Sequence, residues 1–281
     1  MFSSRGRTGL KLAPIIIAGV VILFQFLSAE RFTNPETGRV QRVSMSTDQE
    51  ETLGLQAFQE VLASSDVVES GPAAEAVRRV SSRIAAQTGS AASSFKWQVS
   101  VVNSEQVNAF CLPGGKIVVY TGILPVAKTE AGLATVIGHE VAHAVARHGA
   151  QRVFQNSLVQ TALIGASFSL SDMDFRQRQT IMGLLGAGAT YGVMLPFGRD
   201  HEVEADQMGL LYMARAGYDP REAIPFWERM GQAAGNGQPP EFMSTHPSHG
   251  TRIQNLQAFM SRAIEEYEKS KGQQTAVGDF R

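Results

Sequence analysis

The residues best suited to chemistry are the six histidines, all of which lie between positions 139 and 249. His139 and His143 frame the motif His-Glu-Val-Ala-His inside a segment whose apolar pattern predicts a largely buried helix. Because four residues turn a helix through about 40°, both imidazoles project from one face and can bind one zinc ion. Zinc lowers the pKa of a bound water to about 7, and Glu140 is placed to remove its proton. We therefore predict one Zn²⁺ per chain, with Glu140 as general base.

A third protein ligand for the metal is predicted from a second acidic segment. Glu202 and Asp206 are one helical turn apart and share a face, whereas Glu204 lies on another face. A carboxylate on the metal and a second one on a ligand histidine is a common arrangement. We predict Glu202 as the ligand and Asp206 as the support of one of the histidines. His201 and Glu204 are predicted to point elsewhere, and His148 to be exposed or structural.

His246, which stands immediately before Pro247, has two interpretations. It could donate a hydrogen bond to the oxyanion that forms when water attacks the peptide bond. It could instead occupy the fourth zinc position and keep the enzyme latent until a substrate displaces it. Arg252 is expected to pair with a carboxylate of the site or to lie at the surface, and His249 has no predicted role.

A candidate peptide-binding edge precedes the metal motif. Residues 107–112 and Lys116–Tyr120 are predicted to be short strands around a Pro-Gly-Gly turn. An extended substrate can pair with a strand edge through backbone hydrogen bonds. Asn108, Ala109 and Phe110 are the candidate edge, although ordinary sheet core is an equally consistent interpretation. Nothing specific supports Cys111 as a nucleophile, and a small buried thiol is the simpler interpretation.

Composition excludes several classes of protein. The chain has 281 residues, with 25 Lys and Arg against 26 Asp and Glu, and its formal net charge is −1. Because nothing supplies a basic field for phosphates, no nucleic-acid partner is expected. The single cysteine excludes an intramolecular disulfide and a multi-cysteine metal cluster. Zinc would therefore be held by nitrogen and carboxylate oxygen, a ligand set suited to hydrolysis.

The amino-terminal segment carries a membrane signal. Residues 1–11 contain Arg5, Arg7 and Lys11, and residues 12–29 are uncharged. A helix of that length rises about 27 Å, enough to cross the core of a bilayer. The positive flank predicts that residues 1–11 stay cytoplasmic and that the rest lies across the membrane. A cleaved signal peptide or a mitochondrial presequence is an open alternative.

The remaining chain predicts a tether at residues 30–46, a domain at residues 47–269 and a flexible tail at residues 270–281. The domain is predicted to be mainly helical, with a small mixed sheet. Its predicted helices run from Thr47 to Leu62, from Pro72, from Thr129 to His148 with Gly149 at the C′ position, from Asp200 to Ala216 and from Thr251 to Lys269.

Residues 150–199 form a Gly-rich insertion between the two predicted ligand helices, with four glycines between positions 183 and 192. Each glycine weakens a helix by roughly 1 kcal/mol relative to alanine. This favours a flexible segment packed on the domain, and the position between the ligands suits a lid. The alternative is that residues 157–197 cross the membrane and that the charged residues at 172–178 form a short turn.

Several motifs together resemble a known family. They are Ala-Thr-Val-Ile-Gly-His-Glu-Val-Ala-His at 134–143, Glu202 with Asp206, the segment from Asn108 to Tyr120, Thr245 to Pro247, and Arg252. The combination resembles the membrane-linked zinc peptidases that include the HtpX heat-shock protease and the CAAX prenyl endopeptidases. It is most similar to the single-anchor branch of BepA-type periplasmic proteases and the mitochondrial overlapping-activity protease. The likeness covers roughly residues 45–265.

The resemblance implies an α+β, zincin-like (gluzincin) domain and an endopeptidase that clears damaged or misassembled envelope proteins. Two features depart from the family pattern. Cys111 stands where a small residue is usual, and no tetratricopeptide repeats follow the domain, so substrate presentation by such repeats is not expected.

The predicted function is degradation of unfolded or misassembled polypeptides by attack of zinc-bound water. The alternative is a zinc-stabilised chaperone or assembly factor that uses the same groove without cleavage. The predicted location is the inner membrane, with residues 12–29 as the anchor and the domain on the periplasmic side. Secretion after signal cleavage and the mitochondrial inner membrane are the alternatives.

Overall fold

A computed structural model describes residues 10–234, 240–246 and 250–278. Pro247 and His249 lie outside the described residues, so the predictions made for them have no structural counterpart. The helices are α1 (Leu12–Ser28), α2 (Thr47–Ala63), α3 (Pro72–Ala85), α4 (Leu124–Ala127), α5 (Glu130–Val145), α6 (His148–Ser169), α7 (Phe175–Ala189), α8 (Leu195–Arg215), α9 (Ala223–Ala234), α10 (Glu241–Thr245) and α11 (Arg252–Gly278). The strands are β1 (Glu30–Thr33), β2 (Val40–Val43), β3 (Gln98–Val102), β4 (Ala109–Leu112) and β5 (Lys116–Tyr120).

The chain divides into two compact units. The helical unit comprises Met1–Phe32, Val40–Ser46 and Ala150–Arg199, and the core unit comprises Thr33–Arg39, Thr47–Gly149 and Asp200–Arg281. The division does not follow the predicted order of tether, domain and insertion, because residues 30–46 contribute to both units.

A small mixed sheet organises the core unit, in agreement with the predicted α+β class. Its strand order is β3-β5-β4, with β5 parallel to β3 and antiparallel to β4. The central strand reads Lys-Ile-Val-Val-Tyr, and its Val118 and Val119 are fully buried. Such a nearly continuous apolar run is typical of a strand covered on both faces. Strand β4 lies at the edge of this sheet, beside α5.

Helix α5 carries the metal motif through the middle of the core unit. Its amino-terminal end is capped by Thr129, whose hydroxyl accepts a hydrogen bond from the Gly132 N–H at 3.0 Å. Apolar residues surround the helix on every side, including Val136, Ile137 and Val141, all of which are fully buried. A helix that is apolar all round must be buried, and this burial fixes the direction of every polar side chain on it.

Two glycines allow α5 and α8 to cross in backbone contact. A β-carbon on Gly209 would lie 2.9 Å from the backbone nitrogen of His139, and one on Gly138 would lie 2.9 Å from the carbonyl oxygen of Gly209. Any larger residue would separate the helices. This close crossing brings the histidine motif of α5 beside the acidic segment of α8.

The predicted end of the motif helix is wrong. Helix α5 ends at Val145 rather than continuing to His148, and Arg147 rather than Gly149 has a positive φ, of 55°. The Arg147 side chain forms a buried ion pair with Glu50, at 2.9 Å, that holds it in this turn. His148 therefore begins a new helix, and helical periodicity counted from His139 does not apply to it.

The helical unit contains α1, α7 and most of α6. Residues 30–46, predicted as a tether, include the paired strands β1 and β2. Residues 150–199, predicted as a flexible insertion, are almost entirely helical. Among the described residues, one helical run is long and apolar enough to cross a membrane by length and composition, Phe175–Arg215, and α1 is a shorter apolar helix.

Candidate metal centre

Four donor groups converge at one point of the core unit. One ligand atom from each of His139, His143, Glu202 and His246 lies within 4.8 Å of the others. The Nε2 atoms of His139 and His143 are 3.1 Å apart, and Glu202 Oε2 is 3.3 Å from His139 Nε2. His246 Nδ1 lies 3.3 Å from His139 Nε2 and 3.2 Å from Glu202 Oε1. The structure thus brings together the three predicted ligands and the candidate fourth one.

The environment of His139 directs one lone pair into this cluster. Asp206 Oδ1 lies 2.9 Å from His139 Nδ1 and accepts a hydrogen bond from the N–H at that position. The other ring nitrogen, Nε2, therefore faces Glu202 and His143. Asp206 therefore occupies the supporting position predicted for it. Burial opposes a charge on His139, but the two carboxylates outweigh burial and raise its pKa. The pocket thus stabilises positive charge at this point.

Arg252 holds Asp206 in place, which is one of the two interpretations predicted for it. Its guanidinium donates to Asp206 Oδ1 at 2.7 Å and is only 4% exposed. The guanidinium carbon lies 3.3 Å from the centre of the Trp227 ring, so the cation is sandwiched between an aromatic face and a carboxylate. Burial opposes ionisation of Asp206, and the charge of Arg252 outweighs burial and lowers the pKa of Asp206.

A second chain of hydrogen bonds orients His143. His148 Nε2 donates to Glu204 Oε2 at 2.9 Å, and burial lowers the pKa of His148, so its ring is neutral and its Nδ1 can only accept. His143 Nδ1 donates to that atom at 2.8 Å. The Nε2 lone pair of His143 must then face the ligand cluster. Arg39 holds the far end of this series of hydrogen bonds, because its Nε donates to Glu204 Oε2 at 2.7 Å.

His148 is structural rather than exposed, which is one of its two predicted interpretations, and His201 and Glu204 lie outside the ligand cluster, as predicted. His148 is only 2% exposed, and Glu204 supports it from a position that does face away from the ligand cluster. The His201 ring stacks on His148 with centroids 4.1 Å apart. Sequence spacing could not indicate this arrangement, because His148 belongs to a different helix from His143.

Glu140 sits beside the cluster without joining it. Its Oε1 accepts no hydrogen bond from the described residues, and His246 Nε2 is 3.4 Å away. Burial raises the pKa of Glu140 to about 7, although the backbone amide of Cys111 partly offsets this by hydrogen bonding. A buried carboxylate with an unused lone pair and a raised pKa is suited to accept and return a proton.

The edge strand β4 lies close to Glu140. The hydrogen bond from the Cys111 amide places the β4 backbone at the site, and the predicted edge residues Ala109 and Phe110 belong to the same strand. Asn108 directly precedes it, and its carbonyl oxygen accepts a hydrogen bond from the Tyr120 N–H at 3.1 Å. Burial raises the pKa of the Cys111 thiol, which disfavours the thiolate that a nucleophile requires.

The donor set fits a tetrahedral zinc ion. Ligands about 2.1 Å from a tetrahedral zinc lie about 3.4 Å from one another. Several separations among His139, His143, Glu202 and His246 run from 3.1 Å to 3.5 Å, close to this value, and all four ligand atoms lie within 4.8 Å of one another. The Nε2 atoms of both motif histidines face each other at 3.1 Å, and this approach is repulsive unless a proton or a metal ion lies between them. Hydrogen bonds from His139 and His246 outweigh burial and hold the pKa of Glu202 far below its ordinary value, so it is a carboxylate.

A buried His-Glu-x-x-His helix that meets a carboxylate from a second helix is the ligand arrangement of zincin-type metallopeptidases. Comparison with protein families matches residues 73–260 to peptidase family M48. The chain belongs to peptidase family M48. The family predicted from the sequence is confirmed, and metallopeptidase is the enzyme class of that family.

Individual relatives confirm the predicted branch. The mitochondrial metalloendopeptidase OMA1 of Schizosaccharomyces pombe is 40% identical over 188 residues, which are 66% of this chain and 53% of that protein. OMA1 of Homo sapiens is 35% identical over 179 residues, 61% of this chain and 34% of that protein. The beta-barrel assembly-enhancing protease of Escherichia coli is 26% identical over 225 residues, 79% of this chain and 46% of that protein. The chain therefore spans about half the length, or less, of these relatives.

Proposed function

We propose that the chain is a zinc-dependent endopeptidase that cleaves unfolded or misassembled proteins at a membrane. The observation that carries this proposal is the convergence of His139, His143 and Glu202 beside Glu140, a buried carboxylate with an unused oxygen. In the proposal those three residues hold the zinc ion. Zinc supplies Lewis acidity, which lowers the pKa of water and polarises a carbonyl group.

The residues of the chain have distinct roles in the proposed reaction. Glu140 removes the proton from the attacking water and then returns it to the leaving amine. Strand β4 offers its free edge, including Ala109 and Phe110, to an extended peptide, whose backbone pairs with it regardless of sequence. This mode of binding suits unfolded chains, because it selects conformation rather than side chains.

His246 is proposed as a reversible fourth ligand. Helix α10 presents its ring, which stacks on Phe242 with centroids 4.7 Å apart and points Nδ1 at His139 and Glu202. In this position it would supply a fourth donor to the metal in place of water. Displacement of His246 by a substrate would open the site. A displaced ring that stays in the pocket would lie near the oxyanion, so the roles of latency ligand and oxyanion donor would describe successive states.

The test compares wild type with Glu140→Gln in cleavage of casein, an unfolded protein, with and without a chelator. The proposal predicts cleavage by wild type alone, and only without the chelator. Equal cleavage by both proteins that the chelator does not affect would exclude it. Binding of casein without cleavage by either protein would favour the alternative function, a non-proteolytic chaperone.

Location and physiological substrates are proposed from the relatives. The names of the relatives place OMA1 in mitochondria and connect the bacterial protease with beta-barrel assembly. We propose that α1 anchors this chain in the inner membrane of a bacterial cell, with the core unit on the periplasmic side. The mitochondrial inner membrane is the alternative. Membrane and envelope proteins that fail to assemble are the proposed substrates.

A further inference from the structure

The helical unit exposes large apolar side chains that a water-soluble helical bundle would bury. Its large apolar side chains face outward, with Leu184 70% exposed, Phe168 65% and Ile16 64%. Helices α1 and α6 meet through small residues, since a β-carbon on Gly165 would lie 2.4 Å from the β-carbon of Ala18. Soluble bundles bury their large apolar residues, whereas helices in lipid associate through small residues and expose the large ones to acyl chains.

Polar contacts close one end of this unit. The Lys11 N–H donates to the Ser169 carbonyl at 3.1 Å, and the Lys11 ammonium pairs with Asp172 at 2.7 Å. The Arg178 guanidinium donates to Ser167 Oγ at 2.7 Å. These contacts bring the start of α1, the turn between α6 and α7, and the start of α7 to the same end.

Arginine marks the other end of the unit. Arg42 donates to the carbonyl oxygens of Phe26 at 2.6 Å and Ala29 at 3.2 Å, and its guanidinium lies over the Phe26 ring at 4.1 Å. Arg152 and Arg199 stand where the uncharged parts of α6 and of the α7–α8 run end. Long cationic side chains near the ends of apolar helices can reach the membrane interface.

The uncharged stretches match a bilayer in length. No Asp, Glu, Lys or Arg occurs in residues 12–29, 153–171 or 179–198. As helices these stretches rise about 27 to 30 Å, the thickness of the hydrocarbon core. Among the described residues, residues 179–198 lie in the run that is also apolar enough by composition, and the other two stretches match the bilayer by length and lack of charge. An apolar cleft of about 430 Å³ between the helices is lined in part by Ile15 and Leu185, which suits an acyl chain.

We propose that the helical unit is a three-span membrane domain whose partner is the lipid bilayer itself. Helix α6 and the run from α7 into the start of α8 cross the bilayer beside α1, and the turn at residues 171–174 lies on the same side of the membrane as Lys11. The proposal replaces the single anchor predicted from the sequence. It extends the proposed membrane location but does not depend on proteolysis, because none of its evidence involves the metal centre.

The test places single cysteines in the full chain in sealed membrane vesicles, with Cys111→Ser removing the native thiol. Ser171→Cys probes the turn, Leu184→Cys and Tyr191→Cys probe outward-facing positions of the uncharged stretch 179–198, and Ser90→Cys probes an exposed part of the core unit. A membrane-impermeant maleimide is applied to right-side-out and inverted vesicles, and again after denaturation in detergent.

The proposal predicts that Ser171→Cys is labelled only in the orientation in which Ser90→Cys is protected. Leu184→Cys and Tyr191→Cys should be labelled in neither orientation until the membrane is dissolved. Labelling of Ser171→Cys and Ser90→Cys from the same side would overturn the proposal, and so would rapid labelling of both mid-span positions in intact vesicles. Glu140→Gln should leave the pattern unchanged, which separates this result from any failure of the proposed peptidase activity.

Discussion

The Nδ1 atoms of His143 and His148 lie 2.8 Å apart. Only one of them can carry the proton, and the hydrogen bond from His148 to Glu204 assigns it to His143. The metal-facing nitrogen of His143 is therefore fixed by a residue from the next helix, as that of His139 is fixed by Asp206. Each histidine of the motif thus has its own carboxylate support, direct for His139 and relayed for His143.

The first prediction concerns this relay. His148→Ala should lower zinc affinity about 10- to 100-fold, the usual effect of removing the hydrogen-bond partner of a metal ligand. Affinity is measured by competition with a chromophoric chelator. Glu204→Gln should have a smaller effect in the same direction, because its amide can still accept from His148 but carries no charge.

Arg79→Ala serves as the control for these variants. It removes only an exposed ion pair with Glu130 and should leave zinc affinity unchanged. Wild-type zinc affinity in both relay variants would mean that His148 contributes packing alone.

The second prediction concerns the support of Asp206. Arg252→Ala leaves that carboxylate buried without its cation, and breaking a buried pair in this way costs about 3 to 5 kcal/mol. Arg252→Lys should recover part of this loss, because it keeps the charge but not the flat stacking on Trp227. The free energy of unfolding in urea, measured with chelator present, tests both variants. Equal stability of wild type and Arg252→Ala would show that Asp206 is not held by this contact.

The third prediction concerns the crossing of α5 and α8. Gly209→Ala introduces a β-carbon 2.9 Å from the His139 backbone nitrogen and should destabilise the chain by about 1 to 3 kcal/mol. It should also weaken zinc binding. Helix α5 carries the two histidine ligands and α8 carries Glu202, so moving the helices apart moves the ligands apart. Gly231→Ala in α9 is the matched control, since nothing lies within 4 Å of its added β-carbon. That variant should be neutral or slightly stabilising in the same urea titration.

The fourth prediction concerns His246 as a reversible ligand. His246→Ala should alter casein cleavage, with a rise expected if the latent state limits the rate and a fall if the oxyanion contact does. It should weaken zinc binding less than Glu202→Gln does, because three protein ligands remain. Unchanged cleavage together with unchanged zinc affinity would exclude both roles.

The sequence was most informative where one helix carried the pattern. The spacing of His139 and His143 and that of Glu202 and Asp206 follow from helical geometry alone. The structure places His139, His143 and Glu202 in the ligand cluster and Asp206 against His139. The position of His148 was not predictable in this way. The positive φ of Arg147 ends the helix, so the helical periodicity that relates His139 to His143 does not give the direction of the His148 side chain.

The architecture of residues 150–199 was also not predictable from propensity. Four glycines indicated a flexible segment, yet the segment is helical and exposes its apolar side chains. Glycine propensities are measured in water; in the proposed membrane location the backbone would have to satisfy its own hydrogen bonds, which would favour helix regardless of propensity. The apolar stripes were visible in the sequence, but the pairing of Gly165 with Ala18 required the fold.

The central claim is that one zinc ion held by His139, His143 and Glu202 works with Glu140 as the proton carrier. The most direct test is the zinc content and the casein cleavage rate of the purified full chain, measured together for wild type and Glu140→Gln. One zinc per chain in both proteins, with cleavage reduced at least about 100-fold in Glu140→Gln, is the predicted result. Full cleavage by Glu140→Gln, or wild-type cleavage without zinc, would contradict the claim.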